Sequence, residues 1–454
     1  MKYYIWTIGC QMNLADSRRL AVALERLGYE PVARAEEADL VVLNTCVVRQ
    51  KAENRVYGRL GSLKPLKVRR PGTIIGLMGC LVGIRDPAPL RKRFPWVDVF
   101  MPPSEPGPLL DYLAEQGLVD ERRAMAEKAA RRQGIHERFL LPAQDQGKRV
   151  TAYVPAVLGC SHACSYCIIP YRRGPERSRP AEEILTEVRA LVAQGVREIT
   201  LLGQIVDRYG YDLVSGSNLR LETPLVQLLR RIHQIEELKR IRFLTSHPNW
   251  MTDDLLQAVA TLPKVCEQIE VPVQTGDDQV LARMRRGYTA DDYRRLIARI
   301  RRTIPDVAIT TDVIVGFPGE TEAQFRRTYD LLEEMRLDKA HIARYSPRPQ
   351  TLAARRYRDD VPPEEKERRR KALDDLQARI VAEINTRLLD QTVEVLVEGK
   401  KMARPEQGKR DRWWGRTRTN KLVFFEDERD RLGQLVSVRI TWTGPWSLIG
   451  EPAD

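Results

Sequence analysis

Short apolar runs alternate with helix-length segments from residue 3 to residue 345, and this alternation constrains the fold more than any other feature. In the first third of the chain, the runs predict strands at Tyr3–Ile8, Leu40–Leu43, Thr73–Met78 and Val97–Met101. Between the first two strands, the pattern predicts a helix over Asp16–Leu27, with Gly28 as its C-terminal stop. Strands separated by helices form βαβ units, so this part of the chain predicts a parallel sheet.

Three cysteines follow these predicted strands. Cys10, Cys46 and Cys80 each come closely after the end of a strand. Because ligands gather beyond the carboxyl ends of parallel strands, we expect the three thiols to emerge at one edge of the sheet. Soft thiolates select iron–sulfur clusters or zinc. We therefore favour the hypothesis that the three thiolates form a cluster-binding site. Three unrelated core cysteines are the alternative.

A second series of strands and helices follows. Its predicted strands are Tyr153–Leu158, Glu198–Leu202, Arg240–Leu244, Gln268–Val273, Ala308–Val315 and Lys339–Tyr345. One intervening helix, Thr321–Met335, begins with a capping-box pair formed by Thr321 and Gln324. An eight-fold barrel usually needs about 250 residues, and this stretch is shorter. About six strand–helix repeats therefore predict an open or partial parallel barrel.

Two charged segments and a final run of short strands complete the chain. Residues 121–149 are predicted to form a linker or a peripheral helix. The segment from Glu364 to about Leu389 is predicted to form a solvated connecting helix. The apolar pattern then changes to period two. Predicted strands are Val393–Val397, Leu422–Phe425, Leu435–Ile440 and Trp446–Ile449. Short strands within such a small span predict a small β-barrel.

Length and composition narrow the class of protein. The 454 residues predict two or three domains. No apolar run approaches the roughly 18 residues needed to span a bilayer, so we expect a soluble cytoplasmic protein with no membrane partner. Thiols stay reduced in that compartment, which makes the seven cysteines candidates for metal binding or catalysis. The sequence has no phosphate loop, no H-E-x-x-H and no G-x-G-x-x-G motif.

The segment from Cys160 to Cys167 carries the most chemical information. Cys160, Cys164 and Cys167 lie in a loop that directly follows a predicted strand. Three cysteines on a 4Fe–4S cluster would leave one iron open, and an open metal position is where a substrate or cofactor binds. The alternative is a structural zinc site with His162 as fourth ligand. Such sites usually pair two short motifs, and the sequence has no second C-x-x-C pair.

The C-x-x-x-C-x-x-C loop resembles that of the radical S-adenosylmethionine (SAM) superfamily. Motifs in the first domain are similar to those of one family within this superfamily, the methylthiotransferases. The motifs that carry it are Gly9-Cys10-Gln11-Met12-Asn13, Asn44-Thr45-Cys46-Val47-Val48-Arg49, Gly79-Cys80, Ser246-His247-Pro248, Val271–Gly276, Arg283–Tyr288, Thr311–Glu320 and Tyr345–Arg348. Their order covers nearly the whole chain. Gln11-Met12-Asn13 is similar to the MiaB-type branch, which acts on isopentenyladenosine in tRNA.

The resemblance implies an architecture of three domains. Residues 1–125 correspond to an N-terminal parallel α/β domain that carries an auxiliary cluster. Residues 146–376 correspond to a radical SAM core with a partial (β/α)6 barrel. Residues 380–452 correspond to a small all-β TRAM barrel, which is an RNA-binding module. The implied fold class is α/β, with an all-β module at the C-terminus.

The resemblance also implies two 4Fe–4S clusters and SAM as cofactors. Cys160, Cys164 and Cys167 would hold the cluster that cleaves SAM, and Cys10, Cys46 and Cys80 would hold the auxiliary cluster that supplies or carries the inserted sulfur. Two motifs would contact SAM. Gly203 and Gln204 lie in the motif near its methionyl end, and Gly316 and Glu320 lie in the turn near its adenosyl group.

A basic segment near the C-terminus supports an RNA partner independently of the resemblance. From Lys400 to Lys421 there are nine basic residues against two acids. Cations bind phosphates, and aromatic faces can stack exposed bases. The predicted RNA contacts are Lys400, Lys401, Arg410, Arg412, Trp413, Arg416 and Arg418. The alternative is a basic loop with tryptophans in the core, and we expect one of Trp413 and Trp414 to be core because adjacent strand residues face opposite ways.

The resulting prediction is a cytoplasmic, monomeric enzyme that methylthiolates isopentenyladenosine in tRNA. A reducing electron donor and a sulfur source are its further implied partners. One alternative is the same chemistry on threonylcarbamoyladenosine in tRNA or on an aspartate of a ribosomal protein. Another, from a different class, is a non-catalytic RNA-binding protein that contains metal. The seventh cysteine, Cys266, has apolar neighbours and is interpreted as a buried structural thiol.

Overall fold

The computed structural model describes residues 1–48, 50–133, 141–213, 222–402 and 411–453. The chain divides into two compact units. The first contains Met1–Gln146, Tyr153–Ala163 and Cys167–Gln194, and the second contains Gly147–Ala152, Cys164–Tyr166 and Gly195–Asp454. Among the described residues, no helix combines the length and the apolar character that crossing a membrane requires.

A parallel five-stranded sheet forms the centre of the first unit. Its strands are β1 (Lys2–Thr7), β2 (Glu30–Pro31), β3 (Leu40–Thr45), β4 (Ile74–Gly79) and β5 (Val99–Met101). The strand order is β2-β1-β3-β4-β5, and every pair is parallel, so the predicted parallel sheet is confirmed. Alternate residues of β3 pack on opposite faces, with Val41 and Leu43 in one core cluster and Leu40 and Val42 in the other.

Helices complete the first unit. They are α1 (Gln11–Arg26), α2 (Gln50–Arg69), α3 (Ala88–Arg93), α4 (Gly107–Glu115), α5 (Glu121–Gln133), α6 (Ile169–Arg173) and α7 (Ala181–Ala193). The chain also forms β6 (Thr151–Pro155) and an antiparallel pair, β7 (Val157–Leu158) with β8 (Arg177–Ser178). β6 begins in the second unit, at Thr151.

Helix α1 begins five residues earlier than the apolar pattern predicted. The predicted helix started at Asp16, whereas the observed helix starts at Gln11, directly after Cys10. The first turns of α1 bury polar side chains, and Asn13 and Asp16 are almost inaccessible to solvent. A polar buried face shows no apolar periodicity, so the pattern located only the last eleven of the sixteen residues of the helix. The helix ends at Arg26, one residue before the predicted end, and the predicted stop, Gly28, follows with φ +90°.

A buried carboxylate on α7 ties several elements of the first unit together. Glu187 is 0% exposed and pairs with Arg18 at 2.6 Å, Arg19 at 2.8 Å and Arg179 at 2.7 Å. Burial alone would raise its pKa, but the three guanidinium groups outweigh burial and lower the pKa of Glu187 to about 2.

Replacing Glu187 with Ala is expected to lower the free energy of unfolding by about 3–5 kcal/mol, because it removes a fully buried carboxylate that three guanidinium groups share. Glu183→Ala is the matched control, since Glu183 is 31% exposed and, among the described residues, forms an ion pair with Arg179 alone. Urea unfolding at neutral pH measures both. The stabilisation from Glu187 is complete above pH 4.5 and is lost as the pH falls toward 2. Equal losses in the two variants would contradict the prediction.

The second unit begins with the remaining strands and helices of the predicted partial barrel. Its strands are β9 (Glu198–Leu202), β10 (Arg240–Leu244), β11 (Gln268–Glu270), β12 (Ala308–Val315) and β13 (Lys339–Arg344). They form sheets of order β10-β9-β6 and β11-β12-β13. A parallel bridge from Ile241 to Val265 links β10 to the segment before β11. The strands therefore follow one another in chain order, and the predicted partial barrel is confirmed.

Helices alternate with these strands. They are α8 (Pro224–His233), α9 (Asp253–Thr261), α10 (Asp278–Met284), α11 (Ala290–Thr303), α12 (Glu322–Met335), α13 (Leu352–Arg356) and α14 (Pro363–Thr386). The capping box of α12, between Thr321 and Gln324, is confirmed. The prediction that α14 is a solvated connecting helix is wrong. Leu373, Leu376 and Ile380 are buried along it, which the abundance of charged residues concealed.

The predicted C-terminal β-barrel is confirmed and is closed. Its strands are β14 (Thr392–Lys401), β15 (Arg412–Thr417), β16 (Leu422–Phe425), β17 (Leu435–Thr443) and β18 (Leu448–Pro452), in the order β14-β15-β16-β18-β17. The apolar pattern missed β15, because its buried positions are Trp413, Gly415 and Thr417 and only the first is a large apolar residue. The predicted strand at Trp446 begins two residues later, at Leu448.

Candidate functional site

The structure places Cys10, Cys46 and Cys80 at one edge of the first unit's sheet. They follow β1, β3 and β4, which are neighbouring parallel strands. Gly9 lies so close to Cys46 that a Cβ added to the glycine would be 2.7 Å from the cysteine Cβ. Burial, together with the nearby charges of Cys80 and Cys10, raises the pKa of Cys46 to about 12. The three thiols therefore interact with one another electrostatically.

Asn13 holds the segments that carry these cysteines. Its Nδ2 donates to the carbonyls of Ile8 at 3.0 Å and Thr45 at 2.9 Å. Its Oδ1 accepts hydrogen bonds from the Cys10 thiol at 3.6 Å and from Nη2 of Arg173 at 2.9 Å. A single buried amide thus connects the ends of β1 and β3 with the first turn of α1.

A buried cation faces the cysteine edge. The Arg173 side chain is 3% exposed and lies 3.6 Å from the carboxylate of Asp16. Its burial would lower its pKa, but the negative charges of Cys80, Asp16 and Cys10 raise the pKa of Arg173 above its usual value. Sequence reasoning missed this residue, although the pair Arg172-Arg173 soon after the Cys160–Cys167 loop was a signal for it.

The donor set at this edge fits a 4Fe–4S cluster. None of the seven cysteines forms a disulfide, so the thiols are available as ligands. In the part of the chain that the structure describes, no three Cys, His, Asp or Glu side chains are arranged to share a single metal ion. A cubane instead distributes its thiolates over separate irons, and it carries a net negative charge that the guanidinium of Arg173 would offset.

The Cys160–Cys167 loop is divided between the two units. In the first unit, the amide of Cys160 donates to the carbonyl of Gly174 at 3.0 Å, and the amide of His162 donates to the Cys160 thiol at 3.4 Å. Cys167 also belongs to the first unit, whereas Cys164 belongs to the second. Gly159, before the loop, has φ +71°, and a Cβ there would lie 2.1 Å from the carbonyl oxygen of Pro175. Only glycine fits at this close approach.

In the second unit, a guanidinium contacts the middle cysteine of the loop. Nη1 of Arg286 donates to the Cys164 thiol at 3.4 Å, and Nη2 donates to the carbonyl of Pro272 at 3.0 Å. Burial opposes the charge of Arg286, but Tyr166, Tyr288 and Cys164 raise its pKa. Arg286 therefore holds the side chain of Cys164 in place. Arg286 lies within the motif Arg283–Tyr288, and only the structure reveals its contact with Cys164.

The predicted SAM-contacting residues lie in two tight turns. Gly203 approaches Val206 so closely that a Cβ would be 2.8 Å from the valine Cα. At the second turn, the amide of Gly316 donates to Oε2 of Glu320 at 2.6 Å, and Arg369 pairs with the same oxygen at 2.9 Å. The contacts of Glu320 with Gly316 and Arg369 account for the conformation of the second turn. A role in SAM binding for Gly203, Gln204, Gly316 and Glu320 stays a prediction.

Most of the predicted RNA-binding cations have acidic partners. The pairs are Lys400–Asp411 at 3.5 Å, Arg412–Glu426 at 3.2 Å, Arg416–Glu398 at 3.2 Å and Arg418–Glu267 at 2.6 Å. Lys401 instead lies over the ring of Phe424, and Arg410 falls outside the described residues. Arg418 also donates to the carbonyls of Pro263 and Val265, so it anchors the barrel within the second unit.

Trp413, predicted as an RNA contact, belongs to the barrel core. It is 6% exposed, packs in the cluster that contains Val395 and Phe425, and donates from Nε1 to the carbonyl of Asp427 at 3.1 Å. Its ring therefore offers almost no surface to a base. Trp414 faces the other way and is partly exposed. The prediction that one of the two tryptophans is core is confirmed.

Three family models match the chain. The Radical SAM superfamily model matches residues 154–332, the model described as Uncharacterized protein family UPF0004 matches residues 2–102, and the TRAM domain model matches residues 387–453. Among solved structures, the radical S-adenosylmethionine methyltransferase TsrM from Kitasatospora setae is similar in fold. It has a TM-score of 0.52 at 14% identity, over 78% of this chain and 77% of that chain.

Full-length relatives identify the family. A tRNA-2-methylthio-N(6)-dimethylallyladenosine synthase from Roseiflexus sp. (strain RS-1) is 49% identical over 99% of this chain and 89% of its own length. The synthases with the same name from Chloroflexus aurantiacus and Dehalococcoides mccartyi (strain CBDB1) are 48% and 47% identical, over 99% and 98% of this chain and over 91% and 97% of their own lengths. The predicted resemblance to radical SAM methylthiotransferases is confirmed. The chain belongs to the family of the tRNA-2-methylthio-N(6)-dimethylallyladenosine synthases.

Proposed function

We propose that this protein converts N6-dimethylallyladenosine (isopentenyladenosine) beside the anticodon of tRNA to its 2-methylthio derivative. The observation that carries the proposal is the 49% identity, over 99% of the chain, to a synthase of that name. The enzyme is a radical SAM methylthiotransferase and uses SAM and 4Fe–4S clusters. Carbon 2 of the adenine loses a hydrogen and gains a methylthio group. One SAM provides the methyl group, and a second provides the radical that removes the hydrogen.

We assign the SAM-cleaving cluster to Cys160, Cys164 and Cys167. When bound, this cluster supplies the electron that converts SAM to a 5′-deoxyadenosyl radical and methionine. The chain's own contribution is to hold the ligands in place. Arg286 fixes the Cys164 thiol, and the next residue, Ser165, is anchored by hydrogen bonds from its amide to the Met284 carbonyl at 3.0 Å and from its hydroxyl to the Arg283 carbonyl at 2.7 Å.

We assign the auxiliary cluster to Cys10, Cys46 and Cys80. When bound, it supplies or carries the sulfur that is inserted. Asn13 orients the strand ends that bear two of these ligands, and Arg173 offsets the negative charge that a cluster brings into a buried edge. We further propose that the protein acts as a cytoplasmic monomer and receives electrons and replacement sulfur from partner molecules.

Turnover of isopentenylated tRNA tests the function. The protein, reconstituted and reduced under anaerobic conditions, is incubated with SAM and with tRNA that carries isopentenyladenosine. Mass spectrometry of the digested nucleosides is expected to show the 2-methylthio derivative. tRNA that lacks the isopentenyl group is the control and is expected to stay unmodified. No product from a fully loaded enzyme would contradict the proposed function. So would product on a parallel sample of tRNA that carries threonylcarbamoyladenosine together with none on the isopentenylated tRNA.

Iron analysis tests the assignment of two clusters. Anaerobically reconstituted protein is expected to contain about eight irons and about eight sulfides per chain, because each trio of thiolates binds one cubane. Colorimetric iron and sulfide assays measure both quantities. Stoichiometric zinc without sulfide would favour structural metal sites and refute the assignment.

A further inference from the structure

The inner face of the partial barrel carries two carboxylates on neighbouring strands. Tyr293 of α11 donates to the hydroxyl of Thr311 in β12 at 3.3 Å, so the face of β12 that bears Thr311 is the one that helices cover. Side chains alternate along a strand, so Asp312 faces the inside of the barrel. Glu270, the last residue of β11, pairs in register with Thr310 and faces the same way as Asp312.

Glu270 lies close in the chain to the segment that holds Cys164. It comes two residues before Pro272, whose carbonyl accepts a hydrogen bond from Nη2 of Arg286 at 3.0 Å. Nη1 of the same guanidinium donates to the Cys164 thiol at 3.4 Å. Barrels of parallel strands hold their reacting groups at the carboxyl ends of the strands. Glu270 is therefore at the end of the barrel to which the SAM-cleaving cluster is assigned.

Toward the other end of the strands, paired side chains fill the inner face. Arg242 of β10 pairs with Glu198 at 3.0 Å and donates to the side chain of Gln268 at 2.8 Å. It also donates to the carbonyl of Thr417 in the C-terminal barrel at 2.8 Å. Gln268 is two residues before Glu270 and shares its side of β11. A ligand that enters from the carboxyl ends of the strands therefore meets Glu270 before it meets this filled region.

A strained threonine fixes the direction of the Glu270 side chain. Thr245, after β10, has φ +68°, which a β-branched residue rarely adopts. Its carbonyl accepts from the amide of Val206 at 2.8 Å, and its hydroxyl donates to Oε1 of Glu270 at 3.2 Å. The next amide, that of Ser246, donates to the Glu270 carbonyl at 3.0 Å. Strain of this kind persists where the surrounding structure enforces it, often at functional sites.

The surroundings of Glu270 favour a neutral carboxyl group. Burial and the negative charge of Asp312 raise the pKa of Glu270 to about 7, against the opposing effects of the Thr245 hydroxyl and of Lys339 on β13. His341, also on β13, lies opposite Asp312 in register. A neutral carboxyl group offers one O–H donor and a carbonyl acceptor, whereas a carboxylate offers acceptors only.

We propose that Glu270 is a specificity-determining residue that recognises the adenine of the substrate through two hydrogen bonds. Adenine presents an N–H on its exocyclic nitrogen beside a ring nitrogen that accepts, and side-chain amides pair with this edge. A neutral carboxyl group pairs in the same way, because it donates to the ring nitrogen and accepts from the N–H. An isopentenyl substituent leaves one hydrogen on the exocyclic nitrogen. This inference rests on the proposed function, since it assumes that the substrate is an N6-substituted adenine.

The test compares kcat/KM of the full-length variants Glu270→Gln and Glu270→Leu for isopentenylated tRNA at pH 6.5. Leucine has no polar group, so Glu270→Leu is expected to lower kcat/KM by about 5- to 150-fold, the effect of one two-bond contact to a base. An amide keeps one donor and one acceptor, so Glu270→Gln is expected to retain most of the wild-type value. Thermal melting and iron content verify that each variant is folded and loaded.

The pH dependence of kcat/KM separates recognition from a structural role. Wild-type kcat/KM is expected to fall about tenfold per pH unit above about 7, because the ionised Glu270 has no proton to donate. Glu270→Gln does not ionise and is expected to lack this fall. Asp312→Asn removes a negative charge and is expected to move the fall to lower pH. Thr245→Val removes a hydrogen bond to the ionised form and is expected to move it to higher pH.

Three outcomes would overturn the inference: unchanged kcat/KM in a folded, loaded Glu270→Leu protein, equal losses in the Gln and Leu variants, or a high-pH fall that persists in Glu270→Gln. The last would assign the fall to another group, such as His341. If Glu270→Leu does not fold, the pH profile of Glu270→Gln still decides. Each of these outcomes, in a protein that methylthiolates isopentenylated tRNA, refutes the inference alone. Product only on threonylcarbamoyladenosine, with the same dependence on Glu270, would refute the proposed function alone, because that base is also an N6-substituted adenine.

Discussion

Replacing Cys46 with Ala is expected to abolish methylthio transfer to tRNA while 5′-deoxyadenosine continues to form. Cys46 belongs to the trio at the sheet edge of the first unit, and the Cys160–Cys167 loop provides a separate set of thiols. Even substitutions beyond the direct ligands of a metal site cost about 10- to 100-fold, so loss of a ligand is expected to reduce product by more than about 100-fold. Cys10→Ala and Cys80→Ala are expected to behave in the same way.

The measurement follows two products in one anaerobic reaction. Chromatography measures 5′-deoxyadenosine, and mass spectrometry measures the methylthiolated nucleoside. Cys266→Ala is the matched control, because Cys266 is a thiol that is 1% exposed and belongs to neither trio. Both products are expected to persist in that variant. If a folded Cys46→Ala protein also stopped forming 5′-deoxyadenosine, the assignment of separate roles to the two trios would be wrong.

Replacing Cys164 with Ala is expected to eliminate both products. Cys164 is held by the guanidinium of Arg286, and the two flanking thiols of the loop are too few to replace it as a ligand. The radical that removes the hydrogen from carbon 2 then does not form, so methylthio transfer stops with it. Cys160→Ala and Cys167→Ala are expected to give the same result.

The iron content of the variants helps to distinguish the roles of the two cysteine trios. Cys46→Ala and Cys164→Ala are each expected to retain about four irons per chain, because one cubane remains in each. The two variants would then hold equal amounts of iron and differ in 5′-deoxyadenosine formation. A Cys164→Ala protein that cleaves SAM at the wild-type rate would refute the assignment of the SAM-cleaving cluster to this loop.

Several features of the fold follow from neighbouring residues alone. The strands β9, β10 and β12 have the bounds that their apolar runs predicted, and α12 begins at the predicted capping box. The positions of the cysteines after strands also follow from local order, because a parallel sheet brings the carboxyl ends of its strands to one edge. Features of this kind depend on spacing and turn chemistry within a few residues.

Other features depend on contacts between distant parts of the chain. The early start of α1 is stabilised by burying Asn13 against the ends of β1 and β3, and the charged helix α14 buries one face that its composition concealed. Arg173 interacts electrostatically with Cys10, Cys46 and Cys80, although more than 90 residues separate it from Cys80. Arg418, which is predicted to contact RNA, forms an ion pair with Glu267, more than 150 residues away in the sequence.

The two adjacent tryptophans illustrate the difference between what neighbouring residues determine and what contacts between distant parts of the chain determine. Local order alone determined that Trp413 and Trp414 point to opposite sides of a strand, because side chains alternate along an extended chain. Only barrel closure decided which one is buried, since the inward side is defined by where β14 and β16 pair with β15. Burial is a property of the assembled barrel, so the tertiary structure was needed to place Trp413 in the core and Trp414 on the surface.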